Sequence, residues 1–185
     1  MKIESPGFTK ADVEKFEGEL VDHERHALAS RLEKVSARLA AIAPRITSGP
    51  GGEEWSDHEI LAHIAVVSKF YGVLVHRISS GKMTELDLLS YVNLRDVAGE
   101  QMAQTDPAEL LKAALADQAR TALLLREMDS EAFRRRAKLT TGGSISAEHV
   151  ARLPLVNHLE SHVEQLERSN PLSTSPQKGE GEASG

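Results

Sequence analysis

Apolar residues recur at three-four spacing in four long stretches of this chain, and that spacing lays one apolar stripe along each of four helices. Helices patterned in this way must bury their stripes against one another. The first stripe is the clearest, running Leu28, Leu32, Val35, Leu39 and Ile42, with Thr9 as N-cap and Asp12 three residues on. Pro44 and "TSGPGGEE" end that helix. The second opens with "WSDHEILAHI", where Ser56 and Glu59 have capping-box spacing, and its stripe is Ile60, Ile64, Val67, Phe70, Tyr71 and Leu74. "SSGK" closes it. A third long helix starts at "TDPAEL", with Asp106 as cap, Pro107 at the first position and Glu109 closing a box. It is expected to turn Leu111, Leu115, Ala122, Leu125 and Met128 inward. "TTGGS" reads as a turn, and a final helical region spans about 146–168, with Pro154 kinking or dividing it.

Residues 83–104 read as a short helix within a long connection. The predicted fold is therefore all-α: an antiparallel four-helix bundle with a long connection between helices 2 and 3. Residues 1–8 form an N-terminal extension and 9–169 the bundle. Residues 170–185 form a tail too rich in Pro, Gly and Ser to bury itself, and so expected to be disordered.

The 185 residues suffice for one ordinary domain with a real core. A net charge of −6 argues against nucleic acid as a partner, and "RRRAK" at 134–138 reads as a solvated loop or helix end. No stretch reads as apolar for long enough to span a membrane, and "MKIESPGFTK" lacks the apolar core of a secretory signal, so a cytoplasmic protein is expected. Cysteine is absent, which removes disulfides and thiolate ligands. A transition-metal site would have to draw on the eight histidines and the carboxylates.

His158 and His162 lie one helical turn apart in "LPLVNHLESHVEQLERS". The pair does not make the HExxH zinc-protease pattern, because Leu159 follows His158. Both share a stripe with Leu155 and Leu166, while His63 shares one with Ile60, Val67, Phe70 and Leu74. Three inward imidazoles need partners for their ring nitrogens, and a divalent cation such as zinc or nickel would serve all three. Three protein ligands leave a fourth position open, as catalytic sites do. On the residues alone a second reading stands beside this one, in which His63 lines a polar pocket and the pair lies on a helix edge. His58, His76, His23, His26 and His149 are expected at the surface.

"WSDHEILAHI" and "HLESHVEQLE" together resemble the DinB superfamily, over about residues 10–169. The resemblance implies a four-helix bundle in which His63, His158 and His162 bind one divalent metal. Asn93 in "YVNLRD" is similar to an asparagine of the family's middle segment, with no role attached. Where activities are known in this family they depend on thiols, as in bacillithiol S-transferases and mycothiol-dependent maleylpyruvate isomerases. The expected function is accordingly transfer of a low-molecular-weight thiol to an electrophile such as an epoxide, quinone or halide. A metal-dependent hydrolase and a non-catalytic metal-binding stress-response bundle are the alternatives. The expected partners are the small-molecule thiol and electrophile, with no nucleic acid and no membrane; a homodimer is left open.

Overall fold

The computed structural model describes residues 7 and 9–171, and of residues 96 and 98–100 the backbone alone. The expected extension and tail therefore fall almost wholly outside the described residues. Helix α1, Lys10–Ile42, starts from a complete Thr9–Asp12 capping box, and all five stripe residues from Leu28 to Ile42 are buried. It ends in a 3-10 turn, Ala43–Arg45, at Pro44. Helix α2, Asp57–Ser79, has the Ser56–Glu59 box and terminates before Gly81, whose φ of 72° suits a residue without a β-carbon. By length and composition α2 could cross a membrane, which corrects the expectation that no stretch would. Here 72% of its most apolar window is buried. A helix that is apolar nearly all round belongs in the middle of a core.

Strand β1, Glu85–Leu86, and helix α3, Leu88–Met102, fill the long connection, so α3 is longer than the short helix expected. Helix α4, Pro107–Glu127, is capped by Asp106, but through the Ala108 N–H and not through a box with Glu109. Then come α5, Ser130–Arg134, and two strands, β2, Arg136–Leu139, and β3, Ser144–Ser146. The last helical region runs through α6, Ala147–Val150, a π-helical turn, Ala151–Asn157, and α7, His158–Ser169. β2 pairs parallel with β1 and antiparallel with β3, around the expected turn where Gly142 and Gly143 have φ of 100° and 82°. The RRRAK arginines are taken up locally: Arg134 by Glu17, Arg135 by the Ser79 carbonyl at the end of α2, and Arg136 by Ser144.

Cross-helix contacts fix the directions. Arg25 reaches the Leu125 carbonyl and Ser36 reaches Gln118, so α1 and α4 are antiparallel. Asp57 meets Asn170 and His63 meets His158, so α2 and α7 are antiparallel too. Glu24 pairs with Arg152, Arg31 with Glu160 and Arg38 with Glu167, so α1 runs alongside the last region in the same sense. His58 meets Thr105 and Ser68 meets Gln118, so α2 and α4 are also parallel neighbours. The long connection makes this order possible. α3 runs back along α2, with Tyr91 against Arg77 and Arg95 against Tyr71, and returns the chain to its starting end.

On α4 the expected phase needs correction. The buried face is Leu110, Ala114, Gln118, Thr121, Ala122 and Leu125, whereas Leu111 and Leu115 are half-buried. Gln118 is only 1% exposed. Its Nε2 donates to Ser68 and its Oε1 accepts from Ser36, which joins three helices through one amide. A hydrophobic pattern cannot anticipate a polar residue that is satisfied inside the core.

Candidate metal centre

α2 and α7 run antiparallel, and at their shared edge the three predicted histidines come together. The ligand nitrogens of His63, His158 and His162 all lie within 4.8 Å of one another. Nε2 of His158 is 3.2 Å from that of His63 and 2.8 Å from that of His162. A tetrahedral zinc with bonds of about 2.0–2.1 Å separates its nitrogen ligands by about 3.3 Å. The cluster is thus close to the size that an ion would set. All three side chains are half-buried. On α7 the fully buried residues are Leu159, Val163 and Leu166, so the two histidines flank the apolar face and open toward the bundle's rim.

The outer hydrogen bonds decide how the rings present themselves. His158 lies just beyond the π-helical turn at Pro154, where its backbone N–H bonds the Leu155 carbonyl. The Pro154 carbonyl accepts a hydrogen bond from the His158 ring. Nε2 faces the other imidazoles, so Nδ1 is the donor. His162 Nδ1 meets Gln165 Oε1 at 3.3 Å. With these outer partners accepting, the tautomer they favour puts each proton on Nδ1 and turns the two Nε2 lone pairs toward each other at 2.8 Å. Two facing lone pairs repel; a cation between them converts the same geometry into coordination. The donor set therefore fits a divalent ion.

Burial holds the His158 pKa below the usual imidazole value, aided by the neighbouring His162 and by the positive charge of Arg95, against the Pro154 bond. Burial likewise lowers that of His162, against the Gln165 bond. Both favour the neutral ring that a metal requires. Arg95 extends from α3 and donates to the Tyr71 hydroxyl. Sequence reasoning overlooked Arg95, Tyr71, Gln165 and the Pro154 carbonyl. Arg95 stands two residues from Asn93, which is exposed. Trp55, just before the α2 cap, sets its ring edge-on to His63 with centroids 5.1 Å apart, and lies nearly parallel to His162.

His58 departs from expectation. It is 5% exposed, not at the surface. Its Nε2 donates to the Thr105 carbonyl at 2.7 Å and its Nδ1 accepts from Gly49 at 3.4 Å, so it ties the α3–α4 connection to the loop before α2. His23, His26, His76 and His149 are exposed as expected. Glu59 is committed to the helix start: the N–H groups of Ser56 and Gly51 donate to its carboxylate and hold its pKa below the usual range.

A family model described as the DinB superfamily matches residues 20–166. The chain belongs to the DinB superfamily. Among solved structures, this DinB protein is similar to the mycothiol-dependent maleylpyruvate isomerase, with 18% identity and a TM-score of 0.60 over 78% of this chain. It spans 60% of the isomerase's length. YfiT from Bacillus subtilis, described as a probable metal-dependent hydrolase with an unusual four-helix bundle topology, is 18% identical with a TM-score of 0.58. That match covers 91% of this chain and 93% of YfiT. At such identities the likeness is one of fold. No curated protein matches by sequence.

Proposed function

We propose that this DinB protein is a metal-dependent transferase that joins a low-molecular-weight thiol to an electrophile. The observation that carries the reading is the facing of the His158 and His162 Nε2 atoms, fixed by Pro154 and Gln165, with His63 completing the set. His63, His158 and His162 would hold zinc or nickel and leave one position open. A bound divalent cation supplies Lewis acidity that lowers the thiol's pKa, so that thiolate is available near neutrality. The thiol proton leaves to solvent. The sulfur lone pair forms a C–S bond while the bond from that carbon to halide or to epoxide oxygen breaks. The departing group keeps the electron pair, and an oxygen then takes a proton from water. On a quinone the sulfur adds to a ring carbon, the ring C=C pair shifts onto the carbonyl oxygen, and the ring C–H proton is lost to solvent to leave the hydroquinone. The chain has no cysteine, so the sulfur comes from the co-substrate. The mycothiol dependence of the similar isomerase supports a thiol in this role. We place the reaction in the cytoplasm, where such thiols stay reduced.

A hydrolase is the competing reading, supported by the description of YfiT. It needs a general base for water, and Glu59 is already held by two backbone N–H groups. The deciding experiment incubates the metal-loaded protein with cellular thiols and a panel of electrophiles, followed by mass spectrometry. Sulfur adducts that form in the parent and not in His63→Ala are expected. Hydrolysed products lacking sulfur would replace this reading with the hydrolase, and no product of either kind would leave a non-catalytic metal binder.

A further inference from the structure

Trp55 is the only tryptophan of the chain. A large apolar residue just before an N-cap commonly folds inward to staple the first helical turn. Trp55 is instead 56% exposed. What it does cover is the candidate centre. Its ring meets His63 edge-on at 5.1 Å, and it lies at 14° to the His162 ring with centroids 6.5 Å apart. Two of the three imidazoles pack against the indole, and more than half of the residue is exposed beside the triad.

An indole is an electron-rich face, and such faces stack on flat rings. An alkyl halide or a simple epoxide has no face to offer. A planar conjugated ring does, and stacked on Trp55 it would lie beside the triad. We propose that Trp55 is the stacking wall for the electrophile, and that this electrophile is a flat, electron-poor conjugated ring of the quinone class. The proposal rests on the thiol-transfer reading, and it narrows the three electrophile classes considered above to one.

The test uses the zinc-loaded full chain with 1,4-naphthoquinone as probe and no thiol present, and cyclohexene oxide as the non-planar comparison. Calorimetry gives affinities for the parent, Trp55→Leu and Trp55→Phe; emission from the single tryptophan gives an independent signal in the parent. We expect saturable naphthoquinone binding that quenches Trp55, and weaker binding of the epoxide. In Trp55→Leu the quinone affinity should fall about tenfold or more, and in Trp55→Phe by less, because phenylalanine keeps a smaller π face. Metal content and melting temperature should match the parent, since Trp55 supplies no ligand and is 56% exposed. Equal quinone affinity in the parent and Trp55→Leu overturns the proposal. So does loss of metal from either variant, which would make Trp55 a prop of the triad instead. Turnover of thiol and quinone whose KM ignores Trp55 removes the wall and leaves thiol transfer standing. Quinone binding that depends on Trp55, in a protein that joins no thiol to anything, keeps the wall and removes the transferase.

Discussion

Gly72 of α2 and Thr121 of α4 meet so closely that a β-carbon on residue 72 would stand 2.3 Å from the threonine hydroxyl oxygen. The approach lets two parallel helices share the Ser68–Gln118 hydrogen bond one turn away. Gly72→Ala is expected to destabilise the protein by about 1–3 kcal/mol through overpacking. With Thr121→Ala in the background the cost should vanish, because alanine favours a helix over glycine by roughly 0.5–1 kcal/mol. Urea unfolding of the four proteins checks this; equal costs in both backgrounds would assign the effect elsewhere.

Metal content separates the histidines. Purified protein should carry one divalent ion per chain. His63→Ala, His158→Ala and His162→Ala should each weaken binding by more than the roughly 10–100-fold that an outer partner contributes, and Gln165→Ala by an amount within that range. His76→Ala should leave binding unchanged, being exposed. His58→Ala should also keep the ion, but should cost about 1–3 kcal/mol of stability because it strips the Thr105 carbonyl of its donor. Elemental analysis beside thermal melts reads both quantities. An empty site in His58→Ala with a full one in His63→Ala would show the assignment to be misplaced.

Acid should act late. In the folded state the pKa values of His158 and His162 are lowered, chiefly by burial. Unfolded, each takes the ordinary value of about 6.5. Between the two values the unfolded chain binds more protons, so stability rises with pH. The contribution of these groups is complete above the unfolded pKa and is lost as pH falls through the folded one. A bound ion should therefore stay in place below the pH at which exposed histidines charge. NMR titration of the metal-free chain, following the imidazole signals of His158 and His162, checks the sign. Folded pKa values above the ordinary imidazole value of about 6.5 would contradict it.

Arg25 is 6% exposed, and its guanidinium donates to the Leu125 and Arg126 carbonyls at the end of α4 while Asp22 holds its other side. Those carbonyls belong to the last turn, where helix acceptors go unpaired and positive charge is favourable. Arg25→Ala should cost about 1.5–3 kcal/mol, the range for hydrogen bonds to a charged group. Denaturant melts give the figure; a change below about 0.5 kcal/mol, typical of surface positions, would show that water replaces the guanidinium.

Where sequence spoke clearly, one dominant force was at work. Ser56 and Glu59 announced the start of α2 because an orphaned backbone donor has few partners to choose from. The α1 stripe was legible because every residue in it is apolar and buried. His63, His158 and His162 came together because their stripes border the core on facing helices. Signals mixed elsewhere. On α4, Gln118 and Thr121 hold core positions through hydrogen bonds, so a reading by hydrophobicity shifted the phase toward Leu111 and Leu115. β1 and β2 are two and four residues long, too brief for alternation to register. His58 is buried by its contact with Thr105, a partner 47 residues away that local sequence cannot reveal.

The long sequence distance between neighbouring helices carries a kinetic consequence. Arg31 and Glu160 are 129 residues apart in sequence, and His63 and His158 are 95 apart, so neither pair can form before most of the chain has found its place. An up-and-down bundle zips from hairpin to hairpin. This one must close long loops first, and chains rich in distant contacts fold more slowly at equal stability. An ion gripping His63 and His158 would act as a clasp on a 95-residue loop, closed only late in folding and opened only by separating α7 from α2. Metal loading should then show itself less in how fast the chain folds than in how slowly it comes undone.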